Sequence, residues 1–315
     1  MGAKHVVGAA VAAWVAVGCG VSQPQVESTP SMDTAVAKLA SPNGRNMNGR
    51  NMNGSFLNRM LVAVRYDGAK REGMSTPMDS VWLEGSVLHG LSDTEELSGL
   101  DFLKVRFTGE LDNGQTVALR VDSATQGQGA DQDIWSYGVS YQDPADGYWY
   151  PICTNADGSP AKAIALENRW DYRQGVEGGG SKIYDASAFT FACEGAALAK
   201  CVRFGYAPWR SLGGTSLEGH HQACTRMVRA DFCGDGTSYT VDGNWVNLYD
   251  SMNVQVDSES WVAEAEWTSN GASCVTSKTR ATSPIQCGSG MVVNDCGTNF
   301  SSGALLISET PPAQP

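Results

Sequence analysis

From residue 61 onward, apolar and polar side chains alternate in short runs, and that period of two predicts strands. LVAVRY (61–66), SVWLEGSVL (80–88) and FLKVRFTGEL (102–111) are the first three such runs. The last continues through Asp112-Asn113-Gly114 into QTVALRVDSA (115–124), two strand-like arms around a turn that predict a β-hairpin. IWSYGVSYQDPADGYWYPIC (134–153) repeats the arrangement, turning between Asp143-Pro144 and Gly147. The period changes in the middle of the chain. In 195–209, Leu198, Cys201, Val202 and Gly205 share a helical face, and Gly205 and Pro208 punctuate its end. A second helix is predicted from Thr215, where Thr215 and Glu218 have capping-box spacing, to about Phe232, stopping near Gly234. Residues 237–250 and 261–275 return to strands. The fold class is α+β, mainly antiparallel β with a small disulfide-stapled two-helix segment.

Upstream of residue 61 the pattern differs. Residues 43–58 (NGRNMNGRNMNGSFLN) repeat with a period of five, placing Met47, Met52 and Leu57 in one register. The same apolar-x-Gly step returns at Leu83, Leu88 and Leu97. Such a period suits a small solenoid coil with apolar residues inward, or, for 43–55 alone, a low-complexity Asn/Gly linker. Residues 1–19 carry Lys4, an apolar run from Val6 to Val17, and Cys19 after small residues. The run is short for a membrane span and suits a signal peptide. Ala16-Val17-Gly18-Cys19 resembles a bacterial lipobox, so Cys19 is expected to be lipidated, anchoring the chain to a membrane. Gly20 stands where an aspartate would favour inner-membrane retention, which points to the outer membrane. The expected organisation is a signal peptide at 1–19, a flexible tether at 20–42, the repeat at 43–60, a β-rich domain at 61–297 and a disordered tail at 298–315.

Composition narrows the function classes. A net charge of −12 argues against binding nucleic acid or an anionic membrane surface non-specifically. Of nine cysteines, removing Cys19 leaves eight: Cys153, Cys193, Cys201, Cys224, Cys233, Cys274, Cys287 and Cys296. An even set in an exported chain reads as a disulfide framework of up to four bridges. Proximity favours Cys287–Cys296 and Cys224–Cys233.

Candidate chemistry concentrates in 220-HHQACTRMVRADFCGDGTS-238. On a helical wheel, Leu217, His221, Cys224, Val228 and Phe232 share one side, with His220 and Asp231 at its edge. Gln222, Arg226, Arg229 and Glu218 face the other way. Three readings compete for this segment. His220 and His221 are satisfied core or capping histidines, or one of them is a general acid/base with Asp231 or Asp235 as partner, or His220, Cys224 and Cys233 bind zinc. The first is the reading carried forward, with no metal or other cofactor expected. Gly178-Gly179-Gly180-Ser181 is a tight loop or an anion-binding nest. Trp135, Tyr137, Tyr141, Tyr148, Trp149 and Tyr150 form a ligand platform for carbohydrate or peptide, or fill a core.

Arg229-Ala230-Asp231-Phe232-Cys233-Gly234-Asp235-Gly236 resembles the signature of the ADYC-domain proteins, exported proteins and lipoproteins of myxobacteria named for an Ala-Asp-Tyr-Cys core. Segments 190–211, 220–238, 247–250 and 263–268 carry the same resemblance, which spans about residues 80–280. Phe232 replaces the tyrosine of the name, which favours packing over chemistry at that position. The resemblance implies an exported, anchored domain and no particular reaction. The function expected is a non-enzymatic cell-envelope module, binding a protein or glycan or serving as structure. The alternative is an extracytoplasmic hydrolase using His220 or His221 with a carboxylate.

Overall fold

The computed structural model describes residues 2, 36–38, 59–155, 157–241, 244–288, 296, 299–300 and 303–312. Signal segment 1–19 with Cys19, all but three residues of the expected tether, and repeat 43–58 lie outside them.

Six antiparallel strands close into a barrel: β1 (Leu61–Lys70), β5 (Arg106–Leu111), β6 (Thr116–Gln126), β7 (Trp135–Gln142), β9 (Ala163–Glu167) and β10 (Ala188–Cys193). Both predicted hairpins form, β5–β6 around Gly114 and β7 with β8 (Trp149–Pro151). Closure comes from Ala163 and Ile164 of β9 pairing with Tyr137 and Ser136 of β7. Alternation puts Phe107, Leu119, Val121, Val139, Phe189 and Phe191 inside. Strand β10 is buried at every position. Its phenylalanines fill the barrel, while Ala192 packs outward beside Leu198 and Val202 of a helix. Between β1 and β5, β2 (Ser80–Glu84), β3 (Val87–Ser92) and β4 (Glu95–Ser98) form an antiparallel meander. Leu83, Leu88 and Leu97 are buried in it, so their recurrence reflects three strands of one small sheet and corrects the solenoid expectation for this region.

A second antiparallel sheet contains β11 (Trp245–Asp250), β14 (Leu306–Thr310), β12 (Val262–Thr268) and β13 (Gly271–Val275), in that order. The strand Val36–Lys38, inside the stretch expected to be a tether, pairs with β11. Residues 306–310 correct the expectation of a disordered tail. Every residue of β14 is buried, and the strand lies between β11 and β12, where Leu306 joins Leu248, Ala265 and Trp267 in one apolar cluster.

Two helices join the sheets, α1 (Ala197–Arg203) and α2 (Glu218–Val228). Helix α2 begins three residues after Thr215 and ends four before Phe232, the bounds predicted for it. It stops at Arg229, and Ala230 takes a left-handed conformation, φ +50°. The predicted capping box is also absent. Thr215 is in a two-residue ladder, the Glu218 amide donates to Ser216 Oγ at 3.2 Å, and the Glu218 carboxylate pairs with Lys182 at 2.5 Å.

All eight cysteines are paired, as Cys153–Cys193, Cys201–Cys224, Cys233–Cys287 and Cys274–Cys296. Both pairs favoured by proximity are therefore corrected. Each bridge joins segments distant in the chain, such as α1 and α2 through Cys201–Cys224, and chain proximity carries no information about such contacts.

Candidate functional site

Helix α2 is polar on the side the wheel turned toward solvent, yet Gln222, Arg226 and Arg229 are buried. The reason is loop 171–182, which covers that side and offers carbonyls to it. Gln222 Nε2 donates to Gly180 O at 2.9 Å, and Trp170 Nε1 donates to Gln222 Oε1 at 3.0 Å. Arg226 donates to Gly179 O at 2.5 Å, Ser181 Oγ at 2.7 Å and Ser269 O at 3.3 Å. The Gly178–Gly180 loop is thus an acceptor for two buried donors of α2, which selects the tight-loop reading over the anion nest. Gly180 has φ +74°, and a Cβ there would lie 2.5 Å from Arg226 Nη1. Only glycine meets both demands.

Asp231 is the centre of this arrangement. Its side chain is fully buried and pairs with Arg226, and its Oδ2 accepts the Gly236 amide at 3.0 Å. Arg229 donates to Gly236 O, and Ser238 Oγ to Arg229 O at 2.8 Å. Burial pushes the Asp231 carboxyl up against the opposing pull of Arg226 and Arg229. Burial also lowers the Arg229 guanidinium to about 10, against the raising influence of Asp231. Next in sequence, Phe232 stacks on Trp267 at 5.1 Å between ring centroids and contacts Tyr239. Its ring sits wholly in the apolar core, so position 232 packs. Gly234, φ +70°, passes so close to Asn270 O that any Cβ would overlap it.

The two histidines lie apart from this network. His221 is 1% exposed, shares a 3.0 Å hydrogen bond between Nε2 and Leu198 O, and meets Trp170 edge-on. As the backbone carbonyl can only accept, the neutral ring carries its proton on Nε2 and donates. Burial lowers its pKa to about 4. His220 is 4% exposed and stacks on Tyr206, whose hydroxyl donates to Asp250 at 2.7 Å. Burial also lowers the His220 imidazole, against a raising influence of Asp250. Asp231 bonds to neither histidine, and Asp235 Oδ1 accepts the Thr237 amide at 2.9 Å in its own turn. The four acid/base candidates are not brought together. Cys224 and Cys233 are held in disulfides, so the zinc set with His220 loses both thiolates.

The aromatic run divides. Tyr137 is inside the barrel, its hydroxyl accepting the Leu88 amide at 3.0 Å and donating to Ser86 O at 3.2 Å. Trp149 lies under Arg120, 4.3 Å from ring centroid to guanidinium, while Tyr148 and Tyr150 are exposed. Sequence reasoning missed a cleft at the other end of β7. Its volume is about 410 Å³, and Thr125, Ser136, Asn155, Lys162, Glu194 and Arg203 line it. These residues come from five separate segments with no shared motif, so only the closure of the barrel reveals them. Among the described residues no helix is long and apolar enough to cross a membrane.

No curated protein and no solved structure matches the chain. A family model described as the ADYC domain matches residues 99–281, more than half of the 315. That span holds most of the barrel, both helices, the glycine loop and the buried Arg226–Asp231 pair. On that match, the chain belongs to the ADYC-domain family.

Proposed function

We propose that this chain is an extracytoplasmic lipoprotein, anchored through Cys19 at the outer membrane, and that its ADYC domain is a non-enzymatic module that binds a protein or glycan. The observation that carries the non-enzymatic part is the placement of the signature segment. His220, His221 and Asp231 are each less than 5% exposed; His221 bonds to a backbone carbonyl of α1, Asp231 to Arg226 and a backbone amide, and His220 stacks on Tyr206. A substrate needs an open approach to the reacting group, and these groups have none. Export is supported by the four disulfides, which need an oxidising compartment to persist. Anchoring is supported by the lipobox-like Ala16-Val17-Gly18-Cys19.

The test is to express the full chain in a Gram-negative host fed an alkyne-tagged palmitate and to fractionate the membranes. The wild type is expected to carry label and float with outer-membrane vesicles, while Cys19→Ser loses the label and appears in the soluble fraction. An unlabelled wild type, or label retained by Cys19→Ser, would refute the anchor.

A further inference from the structure

The barrel-mouth cleft is built more rigidly than a gap between surface loops. One side is formed by residues 152–155 and 157–161, where Asn155 N donates to Ser159 O at 2.8 Å and Thr154 bridges to Pro160. The Cys153–Cys193 disulfide fixes that side to β10, directly before Glu194. The end of β6 with Thr125 and the C-terminal residue of α1, Arg203, also line the cleft. Its walls are therefore organised before any ligand arrives, which spares binding the cost of ordering them.

The charges inside are unequal. Glu194 is neutralised within the cleft, with Arg203 donating to it at 2.5 Å and the Ser136 hydroxyl at 2.9 Å. Arg203 also reaches Ser136 Oγ at 3.0 Å and Asp131 at 3.6 Å, so its charge is shared between two carboxylates. Lys162 is different. Its ammonium donates to the Thr125 hydroxyl at 2.7 Å, and among the described residues no carboxylate forms an ion pair with it. A half-buried lysine without a counter-charge, at the rim of a cleft in a chain of net charge −12, leaves a local positive point in an acidic protein.

We infer that this cleft binds a small carboxylate-bearing ligand, with the Lys162 ammonium as its counter-ion, the Thr125 hydroxyl as a donor to it and Asn155 Oδ1 as an acceptor for a ligand N–H or hydroxyl. The inference rests on the binding-module reading above and assigns that module its site. A volume of about 410 Å³ accommodates a short peptide end or one acidic sugar. Barrel mouths with a few converging polar groups are common ligand sites. A carboxylate is the chemistry shared by a peptide C-terminus and a uronic acid, and the experiment separates these sources.

The test uses the full chain purified in detergent, titrated calorimetrically with N-acetyl-trialanine and with glucuronate, and in parallel with trialanine amide and glucose. At least one acid is expected to bind, its neutral counterpart at least about tenfold more weakly, and whichever acid binds identifies the source. Lys162→Met is expected to weaken that acid about tenfold and Lys162→Glu to abolish it, with unchanged melting temperatures. Absence of binding by both acids, equal binding of acid and neutral forms, or full affinity in a folded Lys162→Met protein would overturn the assignment. Mass spectrometry of the same preparation reads lipidation of Cys19 separately. A lipidated protein that binds neither acid refutes the cleft alone, and a binding protein without lipid refutes the anchor alone.

Discussion

Asp231 has two guanidiniums for neighbours and lies out of contact with solvent. Replacing it with alanine would leave Arg226 and Arg229 charged and buried with no anion between them. Breaking a buried pair from one side costs about 3–5 kcal/mol, because the stranded charge keeps its desolvation penalty. Asp231→Ala is therefore expected to lower unfolding free energy by about that amount in urea titration. Asp231→Asn preserves an acceptor for the Gly236 amide and is expected to cost less. Equal stability of wild type and Asp231→Ala would remove the residue from the centre of the fold. The signature segment would then need another reason for its polar residues.

At the scale of the element, the second sheet depends on a strand beyond the span matched by the family model. Trp267 Nε1 of β12 donates to Ser308 Oγ at 2.8 Å, and Ser308 Oγ donates to Glu264 Oε2 at 2.7 Å. Without β14, β11 and β12 lose their shared partner, and Leu306 and Ile307 leave the core. Truncation after Gly303 is expected to abolish the cooperative transition and Leu306→Ala to cost about 3 kcal/mol. A cooperative melt in the truncated chain would show that the sheet closes without β14. This strand marks a limit of pattern reading. Ala304-Leu305-Leu306-Ile307 is an apolar run long enough to signal a buried strand, but the prolines after it invited a disordered reading. The hairpins β5–β6 and β7–β8 were legible because their alternation and turn residues are local. Helix α2 was legible as an apolar stripe and misleading on its polar side. The wheel treats the face opposite the stripe as solvent, whereas loop 171–182 occupies that space with carbonyls. Disulfide partners depend on contacts between distant segments and the Lys162 cleft on barrel closure, which no local period encodes.

For the whole molecule, buried histidines tie stability to pH. His221 is neutral in the fold, with a pKa of about 4, whereas an imidazole in the unfolded chain titrates near about 6.5. A base whose pKa falls on folding contributes stability above its unfolded value and loses it as pH drops toward the folded value. Between roughly pH 6.5 and 4 the unfolded chain thus binds about one proton more than the fold at this site, a slope near 1.4 kcal/mol per pH unit. Across the window that amounts to on the order of 3 kcal/mol. His220, also lowered by burial, acts in the same direction. Glu309 opposes them, since burial raises its carboxyl despite hydrogen bonds from Asn247 and Tyr249. Its contribution is present at low pH and lost as pH rises through its folded value. Urea denaturation at pH 7, 5.5 and 4.5 should therefore show falling stability in the wild type and a shallower fall in His221→Gln. The glutamine can still donate to Leu198 O but adds no proton uptake on unfolding. Should His221→Gln retain the wild-type slope, the acid sensitivity belongs to other groups, and the interior of α2 would have to admit a charged imidazole without loss.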